Sequence, residues 1–402
     1  MKVDVQALGT FNELAHEGAE QATRSLAQMT GIDGNVDVTR ISLVDRADLG
    51  EELGDEQFVG VRFEFEGALS GETVLVFAEG ATDEIVDALG HHADEAMARS
   101  SVEEIGNIMM SGFIDGWADH LDATIDHTPP DYIEREGSAI LPEAPTEGGH
   151  QQLFVFRSEI EWVGEPIDFF IYMLPEYDPM TELMADHADP GADAIPIEKL
   201  EVFNRMTREG TETAAENVEM MTGIETAAEV TQISFVPIED VPKQVGNDTV
   251  VGTVVEFTGL PSGYLLVLFD EASAMTVAEA LMPMEPKGEG LTERHESAIE
   301  ELGNIMTSGF VDGWANVLQQ SVDHTPPRLV HDMGGAIIDP LAAQLGQEQR
   351  HAFIIDSRMQ TDEIDFECEI HALPNGEQLR EALDQLVVDR ADQTEADVEQ
   401  HF

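Results

Sequence analysis

The strongest constraint on the fold of this chain is an internal repeat. The segment from Gly106 to Pro130 returns as Gly303 to Pro327, and 17 of its 25 positions carry the same residue in both copies. A chain of 402 residues can form two or three domains, each with a core of ordinary size. The repeat therefore predicts two similar domains in tandem, at 1–184 and 199–386, joined by a linker at 185–198 and followed by an acidic tail at 387–402.

The chain is strongly acidic, with 19 Lys plus Arg against 82 Asp plus Glu and a formal net charge of −63. Such a charge repels nucleic acid and anionic membranes, so neither is an expected partner. The sequence is not typical of a disordered acidic protein, because 42% of its residues are hydrophobic and fall in periodic runs. At molar salt the Debye length is about 3 Å, which screens repulsion between like charges. The composition therefore predicts a folded protein from a halophile with a salt-rich cytoplasm.

Other global features narrow the class of protein. The single cysteine, Cys368, excludes an internal disulfide and any multi-cysteine metal site, and its strand-like surroundings predict a half-buried position. The N-terminal residues lack the apolar core of a signal peptide, and no apolar run approaches the roughly 20 residues that a membrane helix needs. We therefore expect a cytoplasmic protein that does not span a membrane.

Hydrophobic periodicity predicts the same order of elements in each half. In the first half these are a helix at 11–30, strands at 36–44, 58–66 and 73–77, helices at 83–89 and 94–121, and strands at 152–158 and 167–174. In the second half they are a helix at 203–222, strands at 230–236, 250–257 and 264–269, helices at 272–281 and 292–318, and strands at 352–357 and 364–373. This order predicts an α+β domain with a largely antiparallel sheet.

The predicted long helix of each half has two faces of different character. At 100° per residue, its polar side chains gather within an arc of about 80°. In the first copy they are Ser100, Glu104, Asn107, Ser111 and Asp115, and in the second copy they are Ser297, Glu301, Asn304, Ser308 and Asp312. The opposite face is apolar and is predicted to be core. On it we expect close packing at Gly112, Gly116, Gly309 and Gly313, with Trp117 and Trp314 at the edge of the core.

The asparagine is the most informative member of this polar arc. It is a mediocre helix former with no packing reason to recur on an exposed face. The serines have a plainer interpretation, since Ser100 with Glu103 and Ser297 with Glu300 also fit a capping box at a helix start. The apolar periodicity favours a position inside the helix instead.

The repeated Asp-His-Thr-Pro-Pro segment raises the question of a metal site. Asp126 and His127, with their copies Asp323 and His324, are potential ligands. Neighbours in sequence diverge, however, and no His or Cys cluster is placed to complete a site. The segment is more typical of a helix stop followed by a turn. Phosphate-binding glycine loops and nucleophile motifs do not occur, so self-contained nucleotide or acyl-transfer chemistry has little support.

The spacing of the polar residues resembles a known signature. In the CheC, CheX and FliY phosphatases, which act on the chemotaxis response regulator CheY, a Ser or Asp is followed after three residues by Glu, after two more by Asn, and after a further 22 by Pro. Both copies fit it position for position, with Ser100, Glu104, Asn107 and Pro130 in the first and Ser297, Glu301, Asn304 and Pro327 in the second. Nearly the whole chain is similar to two fused CheC domains. The resemblance implies long helices packed on a largely antiparallel sheet.

A CheC domain usually contains two such helices, so the resemblance also points to the first helix of each half. There the sequence departs from the signature. Glu13 matches the Glu, but His16 stands in place of the Asn and Gly9 in place of the leading Ser or Asp. In the second half, Arg205 and Arg208 replace the Glu and the Asn. In the second half, a cation in place of the Glu would repel the lysine of CheY that the Glu of the family engages. We expect both first-helix sites to be inactive as phosphatases.

The resemblance implies a mechanism in which the partner supplies the metal. Phosphorylated CheY already holds Mg²⁺ and a lysine beside its phosphoaspartate, so this chain would need no cofactor of its own and would mainly place the attacking water in line. By resemblance, Asn107 and Asn304 orient that water. Glu104 and Glu301 would pair with the lysine of CheY, and the serines would be supporting contacts.

Two other functions are open at this stage. CheC relatives bind the deamidase CheD, and FliY relatives sit at a motor switch, so the chain could be a non-catalytic adaptor for CheD or CheY, or a flagellar or archaellar switch component. A metal-dependent hydrolase that uses Asp126 and His127 is a third hypothesis.

Overall fold

The computed structural model describes residues 2–3, 5–31, 33–45, 48–50, 53–54, 56–78, 95–142, 152–162, 168–186, 195–223, 225–246, 248–282, 291–318, 320–360 and 367–386. The chain divides into two compact units, Val3–Ala192 and Asp193–Phe402, the second also including Met1–Lys2. The predicted helix at 83–89, the middle of the predicted linker and the predicted tail lie outside the described residues. The domain boundaries stay a prediction.

The first unit is an antiparallel sheet covered by helices. Its helices are α1 (Val5–Thr30), α2 (Glu95–His120) and α3 (Tyr177–Asp186). Its strands are β1 (Gly34–Asp45), β2 (Gln57–Gly67), β3 (Gly71–Ala78), β4 (Ile125–His127), β5 (Asp131–Glu136), β6 (Gln152–Trp162) and β7 (Asp168–Pro175). Neighbours pair in the order β1–β6–β7–β3–β2, and both β4 and β5 pair with the remaining edge of β2.

The second unit repeats this plan. Its helices are α4 (Ile197–Thr222), α5 (Glu271–Leu281), α6 (Glu293–Leu318), α7 (Gly334–Leu345) and α8 (Gly376–Gln385). Its strands are β8 (Ala227–Pro237), β9 (Thr249–Gly259), β10 (Gly263–Asp270), β11 (Val322–His324), β12 (Arg328–Met333), β13 (His351–Gln360) and β14 (Glu367–Pro374). They pair antiparallel in the order β8–β13–β14–β10–β9, with β11 and β12 on the edge of β9. The predicted α+β class with an antiparallel sheet is therefore confirmed. Two-residue strands also occur at Lys2–Val3 and Ile195–Pro196.

The first helix of each unit starts six residues before its predicted start at Phe11 or Phe203. The cause is that Leu8 and Leu200 are buried and continue the apolar stripe toward the N-terminus. Both helices end at the predicted residue. The glycine that follows adopts a φ of +75° in the first unit and +73° in the second, a left-handed conformation that favours glycine as a helix terminator.

In each unit the first helix crosses the repeated helix at a pair of glycines. A Cβ added to Gly116 would lie 3.1 Å from the Cα of Gly18, and a Cβ added to Gly313 would lie 3.0 Å from the Cα of Gly210. These contacts are tighter than almost all real Cβ contacts. The predicted close packing at Gly116 and Gly313 is confirmed, and it brings the two helix backbones close together.

The repeated tryptophans lie at the centre of the core. Trp117 is 0% exposed and Trp314 1% exposed, so the expected position at the core edge is wrong. Phe11, Phe113 and Phe156 surround Trp117 with ring centroids 5.1 to 6.4 Å away. Phe203, Phe257 and Phe310 surround Trp314 at 5.1 to 5.5 Å. Each indole therefore joins both long helices to the sheet.

The sequence prediction missed short elements that lack a clear period. These are α3, α7, α8 and the four edge strands β4, β5, β11 and β12. On the sheet face away from the long helices, α7 and the 3₁₀ turn Ile238–Val245 cover a second core in the second unit. In the first unit that core includes the 3₁₀ turn Gly137–Ile140.

Two residue-level expectations are corrected as well. Cys368 lies in a strand as predicted, but it is fully buried instead of half-buried. The Asp-His-Thr-Pro-Pro segment is not a turn, since its Asp and His belong to β4 and β11. None of the described helices combines the length and the hydrophobicity that crossing a bilayer requires.

Candidate active site on the repeated helices

In each unit, the helix turn that carries the glutamate and the asparagine lies directly on the strand next to the sheet edge. Gly106 of α2 is buried against Val61 of β2, and an added Cβ would come within 2.7 Å of that side chain. Gly303 of α6 contacts Thr253 of β9 in the same way. Because glycine has no side chain, the helix backbone can approach the strand this closely. This contact with the sheet therefore fixes the position of the helix turn that lies between Glu and Asn.

The predicted polar arc is exposed in both copies. Ser100, Glu104, Asn107 and Asp115 are exposed and Ser111 is half-buried, while Ser297, Glu301 and Asp312 are exposed and Asn304 and Ser308 are half-buried. The opposite face is core, with Ile105, Met109, Phe113, Ile299, Met306 and Phe310 buried. Among the residues that the structure describes, no hydrogen bond or ion pair occupies the carboxylates of Glu104 and Glu301 or the amides of Asn107 and Asn304. These groups are therefore available to a partner.

A serine and a histidine hold the asparagine turn to the edge strand. The hydroxyl of Ser111 donates to the main-chain oxygen of Asn107 at 2.6 Å and lies 3.3 Å from Nε2 of His127. Nδ1 of His127 donates to the carbonyl of Thr128 at 3.0 Å. Phe63 of β2 packs edge-on against the imidazole, with 5.8 Å between the ring centroids.

The second copy builds the same connection. Ser308 donates to the main-chain oxygen of Asn304 at 2.8 Å and lies 3.1 Å from Nε2 of His324, whose Nδ1 donates to the carbonyl of Thr325 at 2.9 Å. The strand segment that follows is itself anchored, because Thr325 N–H donates to the carbonyl of Glu256 at 2.9 Å.

The remaining signature residues border this turn. Ser100 and Ser297 lie inside α2 and α6, so the capping-box interpretation is wrong. Ser297 instead donates to the carbonyl of Glu293 at 3.0 Å. Pro130 and Pro327 are half-buried in the extended segments between the edge strands. They direct the chain from the histidine strand to the next strand along the same sheet edge.

The corresponding positions on the first helices are placed differently. Glu13 is exposed, but His16 is half-buried, with Nδ1 3.3 Å from Oγ1 of Thr39. Gly9, in place of the leading serine, is buried. Arg205 and Arg208 are both half-buried. These positions therefore do not present a Glu and Asn pair like that of the repeated helices.

The geometry gives no support to a metal centre at the Asp-His pairs. Asp126 is exposed while His127 turns inward to Ser111, as alternation along a strand requires. No group of three or more His, Cys, Asp or Glu side chains in the described part of the chain could hold a metal ion.

Sequence reasoning missed the role of the serine and histidine together. Ser111 was placed on the polar arc and His127 in a turn, because nothing in the period of either segment links them. The signal that could have found the pair is the repeat itself, since Ser and His recur 16 residues apart in both copies. The contact forms only when β4 and β11 fold back along the sheet edge.

Comparison with known proteins supplies the family. The model of the CheC-like family matches residues 97–134 and 295–331, which cover the repeated helices and the edge strands after them. The Halobacterium salinarum protein named "Putative CheY-P phosphatase CheC1" is 37% identical over 186 residues, which amount to 45% of this chain and 92% of that protein.

Two solved structures are also similar to one half of the chain. Thermotoga maritima FliY has 21% identity and a TM-score of 0.37, covering 45% of this chain and 94% of its own. Desulfovibrio desulfuricans CheX has 14% identity and a TM-score of 0.32, covering 41% of this chain and 99% of its own. Scores of this size establish no shared function. The family model matches at two positions, and the Halobacterium salinarum relative is matched over 92% of its length. Together these findings show that the chain belongs to the CheC, CheX and FliY family and carries two CheC-like domains.

Proposed function

We propose that this chain is a chemotaxis phosphatase that removes the phosphoryl group from the aspartate of phosphorylated CheY. The observation that carries the proposal is the presence of two Glu and Asn pairs, each on a helix turn seated against a sheet, with both glutamates and Asn107 exposed and Asn304 half-buried. Membership of the family and the name of the Halobacterium salinarum relative support the same activity. The net charge of −63 supports a reaction in high salt.

In the proposed mechanism, each repeated helix enters the active-site cleft of CheY and its asparagine positions the attacking water. The amide oxygen of Asn107 or Asn304 accepts a hydrogen bond from the water, and the amide group gains or loses no proton near neutral pH. Mg²⁺ and the lysine of CheY neutralise charge on the phosphoryl group, so in-line placement of the water is the main contribution left to this chain. The metal belongs to the partner.

The glutamates have a separate role in this mechanism. Glu104 and Glu301 lie one turn before the asparagines and pair with the lysine of CheY, which sets the register of the inserted helix. A charge-assisted hydrogen bond between them is stronger than an exposed pair once the complex excludes water. Ser100 and Ser297, a further turn back, contact the rim of the cleft.

The proposal also assigns no catalysis to the first helices. An imidazole at His16 and a guanidinium at Arg208 stand where the site needs an amide, and Arg205 would face the lysine of CheY with a like charge. Activity is therefore expected from two sites per chain.

The test follows the decay of phosphoaspartate in a phosphorylated CheY receiver, in molar KCl with Mg²⁺. The unsubstituted chain should accelerate decay, and the double variant Asn107→Ala/Asn304→Ala should lose about 100-fold of that acceleration, as expected when a positioned water is lost. Exposed amides outside the repeated helices provide the control, since Asn35→Ala/Gln347→Ala should leave the acceleration intact.

No acceleration by the unsubstituted chain, or acceleration that survives in the double asparagine variant, would disprove catalysis at these helices. If CheY or CheD bound with an affinity indifferent to both asparagines and no acceleration occurred, the chain would be a non-catalytic adaptor.

A further inference from the structure

Beside the first site lies a recess lined by arginines. Its volume is about 450 Å³, and it opens between the start of α2, strand β5 and the 3₁₀ turn that follows β5. Arg62, Arg99 and Arg135 line it, together with Asp131 and Tyr132. A second carboxylate, that of Glu134, also lines it. The recess borders both ends of the signature, because Arg99 immediately precedes its serine and Asp131 immediately follows its proline.

The arginines are held in place by weak, exposed contacts. Nη2 of Arg62 lies 2.9 Å from Oδ2 of Asp131, with the two side chains 38% and 57% exposed. The guanidinium of Arg99 stacks 4.7 Å above the ring of Tyr132, and its Nε lies 3.1 Å from Oε1 of Glu103. Exposed ion pairs of this kind contribute little to stability, so a partner carboxylate can displace the internal one at small cost.

This concentration of arginines, three against the two carboxylates of Asp131 and Glu134, is unusual in so acidic a chain. Arginine occurs 15 times among 402 residues of net charge −63, and three of the 15 line this one recess. Arginine also suits carboxylate recognition, because its planar fork binds both oxygens at once. The Debye length in molar salt is about 3 Å, so a charged group attracts a partner there only when the two are in direct contact.

The second copy does not repeat the three arginines. The pairing of Arg62 with Asp131 across β2 and β5 corresponds to that of Val254 with Arg328 across β9 and β12. In the same alignment, Glu296 takes the position of Arg99 and Asp332 that of Arg135. The three arginines are thus replaced by one apolar and two acidic residues, although the neighbouring Glu and Asn are unchanged.

We infer that the arginine-lined recess docks an acidic segment of the protein on which the repeated helix acts, so that the first site binds that protein more tightly than the second. A protein adapted to the same salt carries an acidic surface for the same physical reason, which makes it complementary to the recess. The inference rests on the proposed function for the identity of the partner. Under this inference, the two sites differ in their affinity for that protein but carry out the same chemical step.

The test uses the full chain with one site inactivated at a time. The first-site chain carries Asn304→Ala and the second-site chain carries Asn107→Ala. In the first-site chain, Arg62→Ala/Arg99→Ala should raise KM for the phosphorylated receiver about fivefold to tenfold with kcat unchanged, the size expected for arginine contacts in an interface. The same two substitutions in the second-site chain should leave KM unchanged. Arg24→Ala, which removes an exposed arginine from α1 outside the recess, is the matched control in the first-site chain.

The reverse experiment transfers the charge to the second copy. Glu296→Arg/Asp332→Arg in the second-site chain should lower KM toward that of the first-site chain. Equal KM values for the two single-site chains, or an equal effect of the arginine substitutions in both, would overturn the inference.

A binding measurement separates this inference from the proposed catalysis. Calorimetry with the receiver carrying beryllofluoride, a stable substitute for the phosphoryl group, reports docking without turnover. If the chain bound the receiver more tightly with Arg62 and Arg99 than without them, but showed no phosphatase activity, the docking role of the recess would be supported and catalysis would be disproved. Activity with an affinity indifferent to both arginines would support catalysis and disprove the recess. Absence of binding would overturn the docking role.

Discussion

The two units share the contacts that support the candidate site, but they differ on the sheet face away from the long helices. Around the site, both copies keep a glycine pressed on the sheet, a glycine crossing, and a serine that joins the asparagine turn to a histidine. On the other face, Asp356 and His371 of β13 and β14 occupy the positions of Arg157 and Tyr172 of β6 and β7. The fold therefore tolerates exchanged polar groups in its cores, whereas the site retains its supporting contacts.

The polar groups at these corresponding positions are hydrogen-bonded differently in the two units. His371 is buried, with Nδ1 2.7 Å from Asp356 and Nε2 3.1 Å from Glu369. In the first unit, Nε of Arg157 donates to the hydroxyl of Tyr172 at 3.2 Å. One cluster depends on an imidazole, which can lose its charge as pH rises, and the other on a guanidinium, which keeps its charge. The comparison thus makes the second unit the pH-sensitive one.

The largest expected effect tests whether the two cores are equivalent. Trp314→Ala should lower the free energy of unfolding by about 3 to 5 kcal/mol, because a fully buried indole leaves a large cavity. Trp117→Ala should cost about 1 kcal/mol less, since Nε1 of Trp314 donates to Thr207 at 3.2 Å while Nε1 of Trp117 has no acceptor among the described residues. Urea unfolding in molar KCl, followed by circular dichroism, measures both. A larger loss for Trp117 would contradict this difference.

The next effect concerns His371. Burial alone would lower its pKa, but the hydrogen bonds and charges of Asp356 and Glu369 raise it to about 10. Because this folded pKa exceeds the unfolded value of about 6.5, the stabilisation is complete below about pH 6.5 and is lost as pH rises through about 10. The free energy of unfolding of the second unit should therefore fall across that window.

Replacing His371 tests the same cluster. His371→Leu should cost about 2 to 3 kcal/mol at pH 6, because it leaves two carboxylates close together without their cation, one of them partly solvated. It should also flatten the pH dependence of unfolding between pH 6.5 and 10. Arg157→Leu in the first unit is the matched control, and it should leave that pH dependence unchanged. A pH profile that persists in His371→Leu would show that another group is responsible.

A smaller effect tests the shared support of the site. Ser111→Ala in the first-site chain should lower kcat about tenfold at unchanged KM, because a loosened asparagine turn misplaces the water. Ser308→Ala in the second-site chain should do the same to a similar extent, since the contacts match. Ser111→Thr keeps the hydroxyl and should retain most of the rate. Loss of activity through KM alone, or in one copy only, would show that the serine does not position the asparagine.

Whether a feature can be predicted from the sequence depends on how far apart its residues lie along the chain. The exposed arc and the buried face of the repeated helix follow from a period of 3.6 residues, and the structure places Glu104 and Asn107 as that period predicts. The contact between Ser111 and His127 could not be derived in this way. It requires the three-residue strand β4, which is too short and too polar to show alternation, to pair with β2.

The same reasoning explains the other errors of prediction. Trp117 was assigned to the core edge because a helical wheel shows direction but not depth, and its burial comes from Phe156 on the sheet. The arginine recess brings together residues 62, 99 and 135, which no single periodic segment contains. Long elements with a regular period were thus predictable, whereas sites assembled across short edge strands were not.

The smallest effect concerns one hydrogen bond that only the second core possesses. Thr207 of α4 accepts from the indole of Trp314, and its counterpart in the first unit is Ala15. Thr207→Val keeps the shape of the side chain but removes the acceptor, so it should lower the free energy of unfolding by about 1 kcal/mol. Thr207→Ser retains the oxygen and should cost less than Thr207→Val. If the valine variant were as stable as the unsubstituted chain, the unpaired indole of Trp117 would not weaken the first core either, and the difference expected between the two tryptophan variants would disappear with it.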